Sequence, residues 1–148
     1  MQRMSLLVCW ILLSLSFTAN ASTTFALQFM DLVNAHRSSI GLRDLILDDR
    51  LSAIVTKHSQ NIASGAVGFG HSNFSYRCTA SKKVLGGGNW CGENVAKGQR
   101  TPQGVFNAWM NSAYHRGNLE NVRATRTGFG YAKNAAGTYY WTEIFLEY

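Results

Sequence analysis

The chain has 148 residues, 46% of them hydrophobic and 15% charged, with a formal net charge of +6 at pH 7. That length holds one domain with an ordinary core, and the apolar content is too high and the charge too low for a disordered chain. A single proline, 14 scattered glycines and the absence of any short repeat exclude collagen-like and solenoid classes.

Residues 1–21 combine a positive start at Arg3, an apolar run from Leu6 to Phe17 and the small-residue pattern Ala19-Asn20-Ala21. Together they read as a secretory signal peptide cleaved near Ala21, so that 22–148 form a single mature domain, secreted to a periplasm or the extracellular medium. The apolar run is shorter than the roughly 18–20 residues that span a bilayer, and no later run is longer, so no transmembrane segment is expected in the mature chain. Cys9 leaves with the signal, and Cys78 and Cys91 remain. In a compartment that permits disulfides, one bridge between them is the natural reading. It closes a loop of about a dozen residues, worth about 3 kcal/mol in the chain-entropy model. Two free thiols are the alternative; a zinc site of cysteine pairs lacks a second C-x-x-C.

From Phe25 to Ser38 apolar residues recur at three- and four-residue steps, which predicts an amphipathic helix that Gly41 stops. Asp48 or Asp49 caps a second helix running to about Ser64, with Leu51, Ile54, Val55, His58 and Ile62 along one face and Gly65 at its end. Residues 66–92 are dense in Gly, Ser and Asn and read as a loop of the functional or disulfide-held kind. A third helix is predicted from about Pro102 to Ala113, capped by Thr101, with Val105, Phe106, Trp109 and Met110 facing inward. Thr127–Ala132 and Thr138–Glu147 are aromatic and β-branched and are joined by Asn134–Gly137, a β-hairpin. Helices followed by an antiparallel pair predict an α+β domain with helices packed on a small sheet.

Charge is unevenly placed. Between Arg50 and Leu119 lie eight basic residues and one acid, Glu93. That balance favours anionic partners such as lipid head groups or acidic polysaccharide, with a plain solvated surface as the alternative. No nucleic acid is expected, because no track of alternating basic and aromatic residues exists.

Candidates for chemistry are few. His36 and His58 fall within helical patterns as ordinary boundary residues, whereas His71 follows a glycine turn in Phe69-Gly70-His71-Ser72-Asn73, where a side chain is presented. Glu93 follows the second cysteine closely enough for a disulfide to fix its backbone. His115 ends the third helix on this reading, where the negative end of the helix dipole favours imidazolium. Two histidines and a carboxylate from separated segments suit a divalent metal, with Glu93 as a third ligand or as a base on bound water; a buried His-Glu-His hydrogen-bond network is the structural alternative. There is no G-x-S-x-G elbow for a serine hydrolase. Asn73-Phe74-Ser75 fits a glycosylation sequon, which matters only where the source glycosylates.

The segments Leu32-Val-Asn-Ala-His-Arg37, Gly41-Leu42, Leu47-Asp-Asp-Arg-Leu51, Phe69-Gly-His71, Gly92-Glu-Asn-Val-Ala96, Trp109-Met-Asn-Ser112, His115-Arg-Gly-Asn118, Gly128-Phe-Gly130 and Tyr140-Trp-Thr-Glu-Ile-Phe145 resemble, in order, the CAP superfamily. This is the group of cysteine-rich secretory, antigen 5 and pathogenesis-related 1 proteins, or SCP domains, and the spacing resembles its bacterial branch. The resemblance implies an α-β-α sandwich of helices packed on a small antiparallel sheet. It also implies a cleft with a His/Glu cluster that binds zinc or another divalent ion in some members. His71, Glu93 and His115 match that cluster. Ser112 stands where many members carry a second Glu, and Glu143 stands where many bacterial members carry Gln, an acid that would share a strand face with Trp141 and Phe145. The resemblance implies a binding module for lipids, other small ligands or partner proteins, using His71, Glu93, His115, Ser112 and Glu143. The alternatives are a metal-dependent hydrolase, with the ion on His71 and His115 and Glu93 as general base, and a protein-interaction or toxin-like module whose cluster is scaffolding.

Overall fold

The computed structural model describes residues 24–148, so the reading of 1–21 as a signal peptide, its cleavage near Ala21 and Cys9 lie outside the described residues. Helix α1 spans 24–39 and ends where Gly41 takes a left-handed φ of 77°. Its inner face buries Phe29, Met30 and Val33. Buried Arg37 donates to the carbonyls of Arg43, Leu119, Asn121 and Ala124. Strand β1 (Ile46–Leu47) leads into α2 (Asp49–Ala63), whose N-cap Asp48 accepts from the Arg50 amide at 2.9 Å. Burial of Leu51, Val55, His58, Ser59 and Ile62 along α2 follows the predicted helical face.

The segment 66–92, expected to be loop, contains helix α3 (Phe74–Leu85) and leads into strand β2 (Cys91–Lys97). Gly86 closes α3 at φ 84°, with its amide on the Lys82 and Lys83 carbonyls, and those two lysines sit where the helix dipole favours cations. Cys78 is bonded to Cys91, so the bridge staples the middle of α3 to the first residue of β2.

The expected single helix Pro102–Ala113 is two helices. α4 (Pro102–Met110) is capped by Thr101, and α5 (Ala113–Leu119) restarts after Asn111 and an extended Ser112. Asn and Ser compete with the helical backbone for hydrogen bonds and favour caps, which places the break. Strands β3 (Arg126–Lys133) and β4 (Tyr139–Leu146) form the expected hairpin.

The sheet order is β1-β3-β4-β2, antiparallel throughout except for β1, which runs parallel to β3. The fold is therefore α+β, as expected, with a mixed sheet in place of a purely antiparallel one. Helices cover both faces. On one face α1 and α4 pack Phe29, Val33, Val105 and Trp109 against Phe129, Trp141 and Phe145, with the Phe29 and Phe129 rings stacked at 4.0 Å. On the other, Leu51 and Val55 of α2 and Leu85 of α3 pack on Ile144 and Leu146. A Cβ at Gly128 or Gly130 would overlap the backbone of α2, so these two glycines are what let α2 lie directly on β3.

Candidate functional site

Alternation along β2 sends Cys91, Glu93 and Val95 toward the α2/α3 layer and Gly92, Asn94 and Ala96 toward α4/α5. The bridge at Cys91 draws Cys78 close, and Arg77, next in the chain, comes to lie over Glu93. The guanidinium grips the carboxylate with two bonds, Nε to Oε2 at 2.6 Å and Nη2 to Oε1 at 2.7 Å. Both side chains are buried. His71 adds a third bond, Nδ1 to Glu93 Oε1 at 2.9 Å, while its own side chain is 42% exposed.

The loop that carries His71 is held on either side as well. His58 Nε2 donates to the Gly70 carbonyl at 2.9 Å, and Arg77 Nη1 donates to the Ser72 carbonyl at 2.6 Å. Burial, more than any neighbouring charge, pushes the His58 imidazole below its ordinary pKa, so it serves here as a neutral donor.

The other expected site residues are distributed differently. His115 lies in the first turn of α5, not at the end of a long helix, so the dipole argument for imidazolium fails. Burial lowers its pKa, and the proximity of His71 lowers it further. Its ring rests against Trp109 and Tyr114. Its carbonyl accepts from Asn94, and Asn118 donates to the Asn94 side chain and to the Glu93 carbonyl, which fastens α5 to β2. Ser112 is the N-cap residue of α5 and makes no capping bond through its side chain. Glu143 faces away from Glu93, toward the aromatic layer, where Oε1 accepts from Thr127 at 3.0 Å and Oε2 has no partner among the described residues. Burial raises its pKa well above the ordinary carboxylate value.

The structure thus joins His71 to Glu93, sets His115 nearby on the adjoining helix and leaves Glu143 on the far face. Sequence reasoning missed Arg77 and the clamping role of His58. The one acid in a long basic stretch needs a cation, and the residue beside the bridged cysteine was the signal for Arg77.

A divalent metal does not fit this donor set. Arg77 and His71 occupy both Glu93 oxygens, and among the described residues no group of three His, Cys, Asp or Glu side chains is placed to hold an ion.

Between α2 and α3 runs a groove of ≈ 490 Å³. Ala53, Ile54, Val67, Tyr76 and Ala80 form its apolar walls, Lys57 and Arg77 are its charged residues, and no acid lines it. His58 also lines it, so groove and cluster share two side chains. Phe69 and Tyr76 stand 55% and 75% exposed.

The model of the cysteine-rich secretory protein family, CAP, matches residues 30–145. The uncharacterized protein YkwD of Bacillus subtilis (strain 168) is 35% identical over 121 residues, covering 80% of this chain and 46% of the relative. An extracellular SCP-domain protein from Bacillus anthracis superposes with a TM-score of 0.73 at 24% identity, over 86% of this chain and 41% of that one. An outer surface protein of Borrelia burgdorferi superposes at 0.69 and 20% identity, over 80% of this chain and 88% of that one. The chain therefore spans less than half the length of both Bacillus relatives. The two superpositions establish a common fold.

Proposed function

The chain belongs to the cysteine-rich secretory protein (CAP) family, in its bacterial branch, and from that premise we propose that it is an exported, non-enzymatic binding module. Its ligand is a small amphiphile with an apolar body and one anionic group. The observation that carries this reading is the α2–α3 groove, apolar in its walls and lined by no acid, with Lys57 as the cation open to a ligand, since Arg77 is already held by Glu93. Export accords with the Cys78–Cys91 bridge, since disulfides persist in oxidising compartments. No described helix is long and apolar enough to cross a membrane.

The state of Glu93 counts against the metal-dependent hydrolase. A general base needs a lone pair aimed at its water, whereas each Glu93 oxygen accepts from Arg77 inside a buried pair.

The test is calorimetric titration of the purified protein with sodium dodecanoate and with dodecanol, below their aggregation limits. Saturable binding of dodecanoate is expected, about tenfold or more tighter than dodecanol, which is about 1.4 kcal/mol. Lys57→Gln should erase the preference and Ala80→Trp, which fills the groove, should erase the binding. The absence of saturable binding, or binding untouched by a folded Ala80→Trp variant, would overturn the reading.

A further inference from the structure

We propose that Arg77 takes the place of a cation in this cluster, so that the cluster excludes a divalent metal and presents one edge of one imidazole, Nε2 of His71. The assignment stands apart from what the groove binds.

A guanidinium cannot be deprotonated in a protein and matches a carboxylate as a two-pronged fork. Here both prongs are engaged and both partners buried. A metal ion reaching Glu93 would have to share a carboxylate already paired with Arg77 and place a divalent charge beside a buried guanidinium, which the low-dielectric interior penalises heavily. The chain also keeps the Arg77 backbone beside Glu93. Cys78 is bonded to Cys91, and Cys91 stands two residues before Glu93 on the same strand face.

What the cluster holds in place is a short piece of loop. Gly70 is held through its carbonyl by His58, His71 through its ring by Glu93, and Ser72 through its carbonyl by Arg77. Three consecutive residues are therefore each anchored by a different side chain, from α2, β2 and α3. A carboxylate only accepts, so Nδ1 of His71 carries the proton of this bond, and in the uncharged tautomer that the bond selects Nε2 carries the lone pair. With the ring 42% exposed, that lone pair is available to a hydrogen-bond donor. Arg77 acts on this edge only through Glu93 and is a positioning residue.

Two measurements test this. The first is calorimetric titration of the full protein, freed of metal, with zinc alone, in parallel with His71→Ala. No stoichiometric uptake is expected in either. Uptake of one zinc per chain by the parent that is lost in His71→Ala would overturn the proposal. The second is nitrogen-15 NMR of the His71 ring in the parent, Arg77→Gln and Arg77→Lys. The parent should show the Nδ1–H tautomer; Arg77→Gln should mix the two tautomers and Arg77→Lys should recover part of the bias. A parent ring protonated on Nε2, or a tautomer unchanged in a folded Arg77→Gln protein, would overturn it. If Arg77→Gln does not fold, the parent's tautomer and zinc titration still decide.

Discussion

Glu93 and Glu143 sit on neighbouring strands one register step apart, since Glu143 pairs with Asn94, and both are almost fully buried. They nevertheless have opposite surroundings. Glu93 faces the α2/α3 layer and meets an arginine and a histidine within hydrogen-bonding distance. Glu143 faces the α1/α4 layer, meets aromatic rings and one hydroxyl, and keeps an oxygen without a partner among the described residues. The arginine of that layer, Arg37, spends its donors on backbone carbonyls. Equal burial thus produces an ion pair in one place and a carboxyl pushed toward its neutral form in the other. The partners that the covering helices supply decide the state of the acid, and depth alone does not.

The largest expected effect comes from unbalancing the satisfied side. Arg77→Met leaves Glu93 as a buried charge with only His71 beside it, and breaking such a pair from one end costs about 3–5 kcal/mol. Denaturant unfolding should show that loss, and the double variant Arg77→Met/Glu93→Leu should recover much of it. A single variant as stable as the parent would mean that the two acids are not differently built after all. Next in size is removal of the staple that brings Arg77 to Glu93. Cys78→Ser with Cys91→Ser should lower stability by about 3 kcal/mol, the loop-closure value. The loosened α3 should also raise amide exchange at residues 70–72, while the aromatic layer around Phe29 stays protected.

The same contrast explains what the sequence made legible. α1 and α2 bury apolar residues at the helical period, and the hairpin is rich in aromatic and β-branched residues on either side of a glycine-containing turn, so pattern reading finds them. α3 buries Arg77, Ser81 and Leu85 at four-residue steps, and two of those three are polar, so a search for hydrophobic periodicity passes over it. β2 is buried on both faces, with Glu93 and Asn94 among its inner residues, and shows no alternation. The α4–α5 break rests on Asn111 and Ser112, a local capping preference that a continuous apolar stripe hides. His71 and Glu93 could be named because a glycine turn and a cysteine mark them. Arg77 read as one basic residue among eight, because its partner becomes visible only when the disulfide folds the two segments together.

The smallest effect near pH 5, and the sharpest probe of the unsatisfied side, is Glu143→Gln. The folded-state pKa of Glu143 lies above its unfolded value, with burial as the main cause and Thr127 and Arg37 opposing it. The folded chain therefore keeps a proton over an interval in which the unfolded chain, titrating near about 4.3, has lost it. Stability is complete below that value and falls as pH rises toward the folded pKa, by at most about 1.4 kcal/mol per pH unit. Gln keeps the shape and the bond from Thr127 but does not titrate. His58 and His115 act in the other direction, because their lowered pKa values make stability fall as pH drops below about 6.5. Those histidines are common to parent and variant and cancel in the difference. Unfolding free energies of the two proteins should agree within about 1 kcal/mol at pH 5 and separate steadily above it in favour of Gln. Parallel curves from pH 5 to 8 would show that Glu143 is as well compensated as Glu93, and the contrast between the two faces of the sheet would fail.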